Sequence, residues 1–255
     1  MKESIVSVKW RGEKMNPKKI TLYPKASDVF VDVRLACYFR PLLSFTDVVE
    51  GTEYILHVLG TDGLFCEEEY LNAENNFWGF RYIDGKYDFL GDLRTFGDGN
   101  VQDIYAFLQA DFAKNKNYYM ENKITVNTYK MGIQDGLNQL AKNFDVDYYA
   151  DAFYSYEFTK YHYKCTGEFR HITELTEGWG HDDTEVLIGR EEAQEMSEEF
   201  FMNLKWNVTH DYGIDESLIR GATERYRFMS IIGGGTVFIL LKPKEQTVYL
   251  LEYFS

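Results

Sequence analysis

Prolines and cysteines are scarce in this chain, four and three in 255 residues, and several functional hallmarks are missing altogether. No run of about 18 apolar residues occurs, which excludes a helix that spans a membrane. The N-terminal stretch carries Lys2, Glu3, Lys9, Arg11 and Glu13 and has no apolar signal region, so a cytoplasmic location is expected. Cys37, Cys66 and Cys165 are odd in number and far apart. They read as reduced thiols, not as a disulfide framework or a zinc cluster. There is no Gly-x-Ser-x-Gly, and no Gly-x-Gly-x-x-Gly precedes a helix. No repeat, low-complexity tract or Pro/Ser-rich linker divides the chain.

Positive charge is also in short supply. Lys and Arg number 27 against 41 Asp and Glu, for a net charge of −14. Phosphate binding needs Lys and Arg to displace counterions, so nucleic acid is a poor direct ligand, and an anionic membrane surface is disfavoured for the same reason. No cofactor and no catalytic residue is indicated.

What the chain has instead is acid and aromatic surface, with 20 Tyr and 19 Phe. The acids are bunched. Residues 61–74 hold five acids and no base, and residues 174–199 hold ten acids and only Arg190. Residues 1–25 have the opposite bias, seven Lys/Arg against two Glu. Clustered like charge repels itself unless it is solvated or meets a cation. The plain role of such acids is solubility. The sharper one is electrostatic steering of a basic protein partner.

Hydrophobic patterning points to an α+β fold, with a mainly antiparallel sheet built from hairpins and about four helices. The chain reads as one compact unit over 1–255, or as two lobes, 1–145 and 146–255. Val29 to Leu35 alternates with a period of two and predicts a strand, as does Glu53 to Leu59. Asp84-Gly85 lies between two aromatic runs and predicts a tight hairpin. In that register Tyr82 faces Tyr87, Phe80 faces Phe89 and Arg81 faces Asp88. Helices are predicted after Asn100, from about Ile133 to Phe144, over 190–205, and from Asp215 to about Tyr226. The aromatic run from Tyr148 to Tyr163 predicts a strand, broken by Thr166-Gly167. Its tyrosines serve either the core or a binding face.

The C-terminal pattern runs from Arg227 through Gly233-Gly234-Gly235 and Thr236 to Lys242, then to Thr247 to Tyr253. A strand follows the glycines, so they form a bend, not a phosphate cradle. The pattern resembles the end of SUKH-type bacterial immunity domains, covers only these last strands and carries no site residue with it.

Two functional readings follow. The first is an acidic cytoplasmic binding protein that neutralises a basic partner, such as a nuclease, toxin or other nucleic-acid-acting effector. This is the immunity-protein or phage anti-defence type. Its contact residues are taken as Glu67, Glu68, Glu69, Asp182, Asp183 and Glu185, with Tyr154 and Tyr156 as aromatic anchors. The alternative is a hydrolase-like enzyme with a dispersed His/carboxylate or metal site. If Thr166-Gly167 closes a hairpin, His162 lies opposite His171, with Cβ atoms about 4.5–5.5 Å apart. Two histidines alone do not make a zinc site. His181, beside Asp182 and Asp183, is the other candidate base.

Overall fold

A computed structural model of the chain describes residues 7–10, 20–60, 77–96, 100–122, 132–140, 146–167, 185–192, 224–229 and 236–253. The fold is α+β, with two antiparallel sheets and, among the described residues, four α-helices. It divides into two compact units that interleave along the chain. One takes Phe96–Glu185 with Met1–Ser7 and Thr61–Cys66. The other takes Val8–Gly60, Glu67–Thr95 and Val186–Ser255.

The second unit holds the sheets. The smaller one orders β2 (Ile20–Leu22), β3 (Arg40–Val49) and β4 (Thr52–Gly60) side by side. The larger has seven strands, in the order β1-β7-β8-β9-β10-β5-β6. These are β1 (Ser7–Trp10), β5 (Phe77–Ile83), β6 (Lys86–Phe89), β7 (Glu185–Glu192), β8 (Glu224–Met229), β9 (Thr236–Lys242) and β10 (Thr247–Tyr253).

Tight turns set the registers. Asp84 and Gly85 take φ of 49° and 79°, the left-handed pair that a two-residue hairpin needs. Tyr82 then pairs with Tyr87, Phe80 with Phe89 and Arg81 with Asp88, as expected. Glu50 and Gly51 repeat this turn between β3 and β4, at 49° and 80°. β9 and β10 have the predicted bounds, and β10 lies between β9 and β5. Tyr249 of β10 stands opposite Gly79 of β5. A Cβ at Gly79 would sit 3.0 Å from that ring, so the glycine makes room for the aromatic.

The expected strand from Val29 to Leu35 does not form. The chain makes a short helix α1 (Ala26–Val29) and then a 3₁₀ turn, Val33–Cys37. The cause is local. The Asp32 carboxylate accepts the Arg34 backbone N–H at 2.9 Å and grips the Arg34 guanidinium. A side chain that bonds the nearby backbone competes with a strand ladder. Val31 and Val33 are left exposed.

The first unit is helical: α2 (Val101–Asn122), α3 (Gln134–Leu140) and α4 (Val146–Thr166). On α2, Val101, Ile104, Leu108, Phe112 and Tyr119 form one buried stripe. The aromatic run predicted as a strand is α4. Aromatics favour strands only weakly, and packing overrides that preference. Tyr105 meets Phe153 edge-on at 5.6 Å, and Phe158 meets both Phe112 and Tyr119. These contacts climb both helices together, so α2 and α4 run in the same sense. Thr166-Gly167 is the end of α4, not a hairpin. Gly167 has φ of 74° and donates its N–H to the Tyr163 carbonyl at 2.8 Å, a glycine helix stop.

The predicted helix over 190–205 begins on β7, which includes Arg190 to Glu192, and the helix predicted up to Tyr226 ends on β8. The rest of both spans lies outside the described residues. No helix among the described residues is long and apolar enough to cross a membrane.

Candidate functional site

The β3–β4 hairpin places Ser44 directly opposite His57. Ser44 Oγ is 2.6 Å from His57 Nδ1, and His57 Nε2 is 2.7 Å from the Gly85 carbonyl oxygen. A carbonyl only accepts, so Nε2 carries the ring proton, Nδ1 is bare, and the Ser44 hydroxyl donates to it. A hydroxyl on a neutral imidazole, with the far nitrogen fixed by an acceptor, is the layout of a nucleophile and its base.

Its setting makes it a clasp. His57 is 1% exposed and Ser44 8%, so no substrate reaches the oxygen. The acceptor is an uncharged carbonyl, which orients the ring without stabilising an imidazolium. Burial pushes the His57 pKa down to about 4, against a smaller opposing effect of the Gly85 carbonyl. Tyr87 lies edge-on to the imidazole at 4.8 Å. The Tyr87 hydroxyl accepts the His57 backbone N–H at 3.0 Å, and Tyr82 accepts that of Ile55 at 2.9 Å. The cross-strand tyrosines of the β5–β6 hairpin thus satisfy outward N–H groups on the β4 edge, which would otherwise be a pairing hazard. Ser44–His57–Gly85 fastens the same two hairpins beside them.

The helical unit has its own half-buried polar knot. Tyr154 donates its hydroxyl to Asp111 Oδ2 at 2.7 Å, and Asn115 donates to Oδ1 at 2.9 Å. Burial, and then the Asp111 charge, raise the Tyr154 pKa far above the ordinary phenol value. Tyr119 is raised by the same two causes.

This places the sequence candidates. Tyr154 and Tyr156, expected as surface anchors, are both buried. Tyr154 is tied to Asp111, and Tyr156 lies under the Lys160 ammonium at 4.5 Å. A helix turns successive side chains through about 100°, so the strand face that would have presented both of them together never exists. His162 is on α4, where its carbonyl accepts the Thr166 hydroxyl at 2.9 Å. The hairpin register that set it against His171 is therefore gone. Glu185 is the first residue of β7. Glu67, Glu68, Glu69, His171, His181, Asp182 and Asp183 lie outside the described residues.

Among the described residues, no three His, Cys, Asp or Glu side chains gather as a metal-ligand set. Cys37 is buried and donates to the Arg34 carbonyl at 2.7 Å. Its thiol is pushed up to about 12 by burial, which removes it as a nucleophile.

Ser44 and His57 escaped the sequence reading, although a signal was present. Glu50-Gly51 is a tight-turn dipeptide of the same kind as Asp84-Gly85, and counting outward from it sets Ser44 against His57. In comparisons with known proteins, no family model, no curated protein and no solved structure matches this chain.

Proposed function

We propose that this protein works in the cytoplasm by binding a basic protein and blocking it, in the manner of an immunity protein or a phage anti-defence inhibitor. The partner is of the nuclease, toxin or nucleic-acid-acting class. Proteins that grip phosphate carry dense Lys and Arg, and an acidic face complements that surface. The observation that carries the reading is the excess of ten acids over one base in residues 174–199. The five acids of 61–74 add to it. In the helical unit, Tyr118 and Tyr148 are 58% and 46% exposed. They offer aromatic anchors in place of the buried Tyr154 and Tyr156.

The test compares the native protein with a variant carrying Lys at Glu67, Glu68, Glu69, Asp182, Asp183 and Glu185. Both are used to capture proteins from a lysate at about 0.05 and 0.5 M salt. The native protein retains a basic protein stoichiometrically, with an association rate that falls as salt rises, and the variant loses it. Equal capture by the two, or retention of no basic protein, defeats the reading.

A further inference from the structure

Between α2 and α4 runs an open groove of about 520 Å³, within the size range of small-molecule sites. Each wall is a single helical stripe. Gln109, Phe112 and Lys116 recur at three- and four-residue steps on α2, as do Phe153, Glu157, Lys160 and Lys164 on α4. The helices run in the same sense, so Gln109 and Phe153 share one end while Lys116 and Lys164 share the other.

The lining runs against the net charge of the chain. In a protein of net charge −14 it carries three lysines and one glutamate. Lys160 is ion-paired with Glu157, so those two charges answer each other. The Lys116 ammonium stands 5.0 Å from the centre of the Tyr161 ring. A ring face attracts a cation without cancelling its charge, so the ammonium can still take an anion. Tyr161 is fixed in turn by its hydroxyl, which donates to Asn117 at 2.7 Å. At the other end Phe112 and Phe153 supply an apolar floor, and the exposed Gln109 supplies amide donors and an acceptor.

We infer that this groove binds a small aromatic anion, with its flat ring over Phe112 and Phe153 beside Gln109 and its anionic tail at Lys116. The seven steps from Gln109 to Lys116 span about 10 Å of helix. A nucleoside monophosphate, or a fused-ring carboxylate, is long enough to reach from ring site to ammonium. This goes beyond the acidic docking reading and does not depend on it.

Calorimetric titration with adenosine 5′-monophosphate, with naphthalene-1-acetate, and with neutral adenosine tests it. One or both anions bind saturably at millimolar concentration or below, more than tenfold tighter than adenosine, and the preferred anion identifies the source. The variant Lys116→Glu weakens that binding more than tenfold, with its thermal midpoint tracked as a control. Ala113→Trp, which fills the groove from an exposed position on α2, abolishes it with every lysine retained. Failure of both anions to bind, equal binding of adenosine, or binding that survives Ala113→Trp overturns the inference.

Discussion

The β5–β6 hairpin and α4 are built from the same material. Both are dense in Tyr and Phe, and each adjoins a glycine with positive φ, Gly85 in one and Gly167 in the other. In the hairpin the rings pair across strands: Phe80 stacks on Tyr87 at 5.2 Å and meets Phe39 edge-on at 5.0 Å. In the helix they lock into a second helix, through Phe112, Tyr119 and Tyr105. Aromatic density alone does not choose between these outcomes. The hairpin is chosen by what flanks its rings, and the helix by what packs on them. Asp-Gly between two short runs closes a two-residue turn. A single glycine after a long unbroken run stops a helix.

The sharpest way to break the comparison is to remove Val248–Ser255. That deletes β10, which bonds β5 on one side and β9 on the other. The hairpin then loses the strand that joins it to β9, and cooperative unfolding of the sheet unit, followed by near-UV circular dichroism, disappears. Retention of a sharp transition would mean that β10 is dispensable.

Next come the rings themselves. Phe158→Ala and Phe80→Ala each empty a fully buried site and should cost about 3–5 kcal/mol, measured by urea unfolding. Phe158→Ala acts on the helical signal and Phe80→Ala on the sheet. A loss below about 1 kcal/mol in either would show that its cluster is loosely packed.

Acid separates the regions through His57. Its folded pKa of about 4 lies below the ordinary value of 6.5, so the unfolded chain binds the proton first. The stability gained from keeping His57 neutral is complete above pH 6.5 and is lost as pH falls through 4. The loss amounts to about 3 kcal/mol. His57→Gln flattens the pH profile of the denaturation midpoint in that window. An unchanged profile would mean that another group titrates there.

The smallest expected effect is the most direct comparison. Gly85→Ala and Gly167→Ala both force a Cβ into left-handed backbone and should each cost about 1–2 kcal/mol. Ile55 lies 3.4 Å from the Cβ position at Gly85, an ordinary contact, so the backbone strain carries the cost there. Thermal melts of the two variants measure both losses, and a variant that melts like the native protein would show that its glycine is dispensable.

How far residues alone revealed the architecture follows from the same physics. The β5–β6 register, the start of α2 after Asn100 and the bounds of β9 and β10 were readable because each rests on a short local signal. α4 was not. Its aromatics carry strand preference, and only α2, some forty residues earlier in the chain, makes a helix the better packing. The Val29–Leu35 alternation misled because the Asp32 side chain intervenes. At the candidate sites, the buried state of Tyr154 depends on Asp111, which no spacing rule links to it. Ser44 and His57 were within reach of turn counting. The lysine groove needs two helices aligned in the same sense, a relation invisible in either segment.

Centrality of β10 in the seven-stranded sheet has a consequence for synthesis. β5 and β6 emerge from the ribosome long before Thr247–Tyr253, and until those residues follow, the inner edge of β5 has no neighbour to cover it. Pairing at such sequence separation is slow, and an open apolar edge invites other chains. Translation speed and chaperone supply over this interval should govern the yield of folded protein.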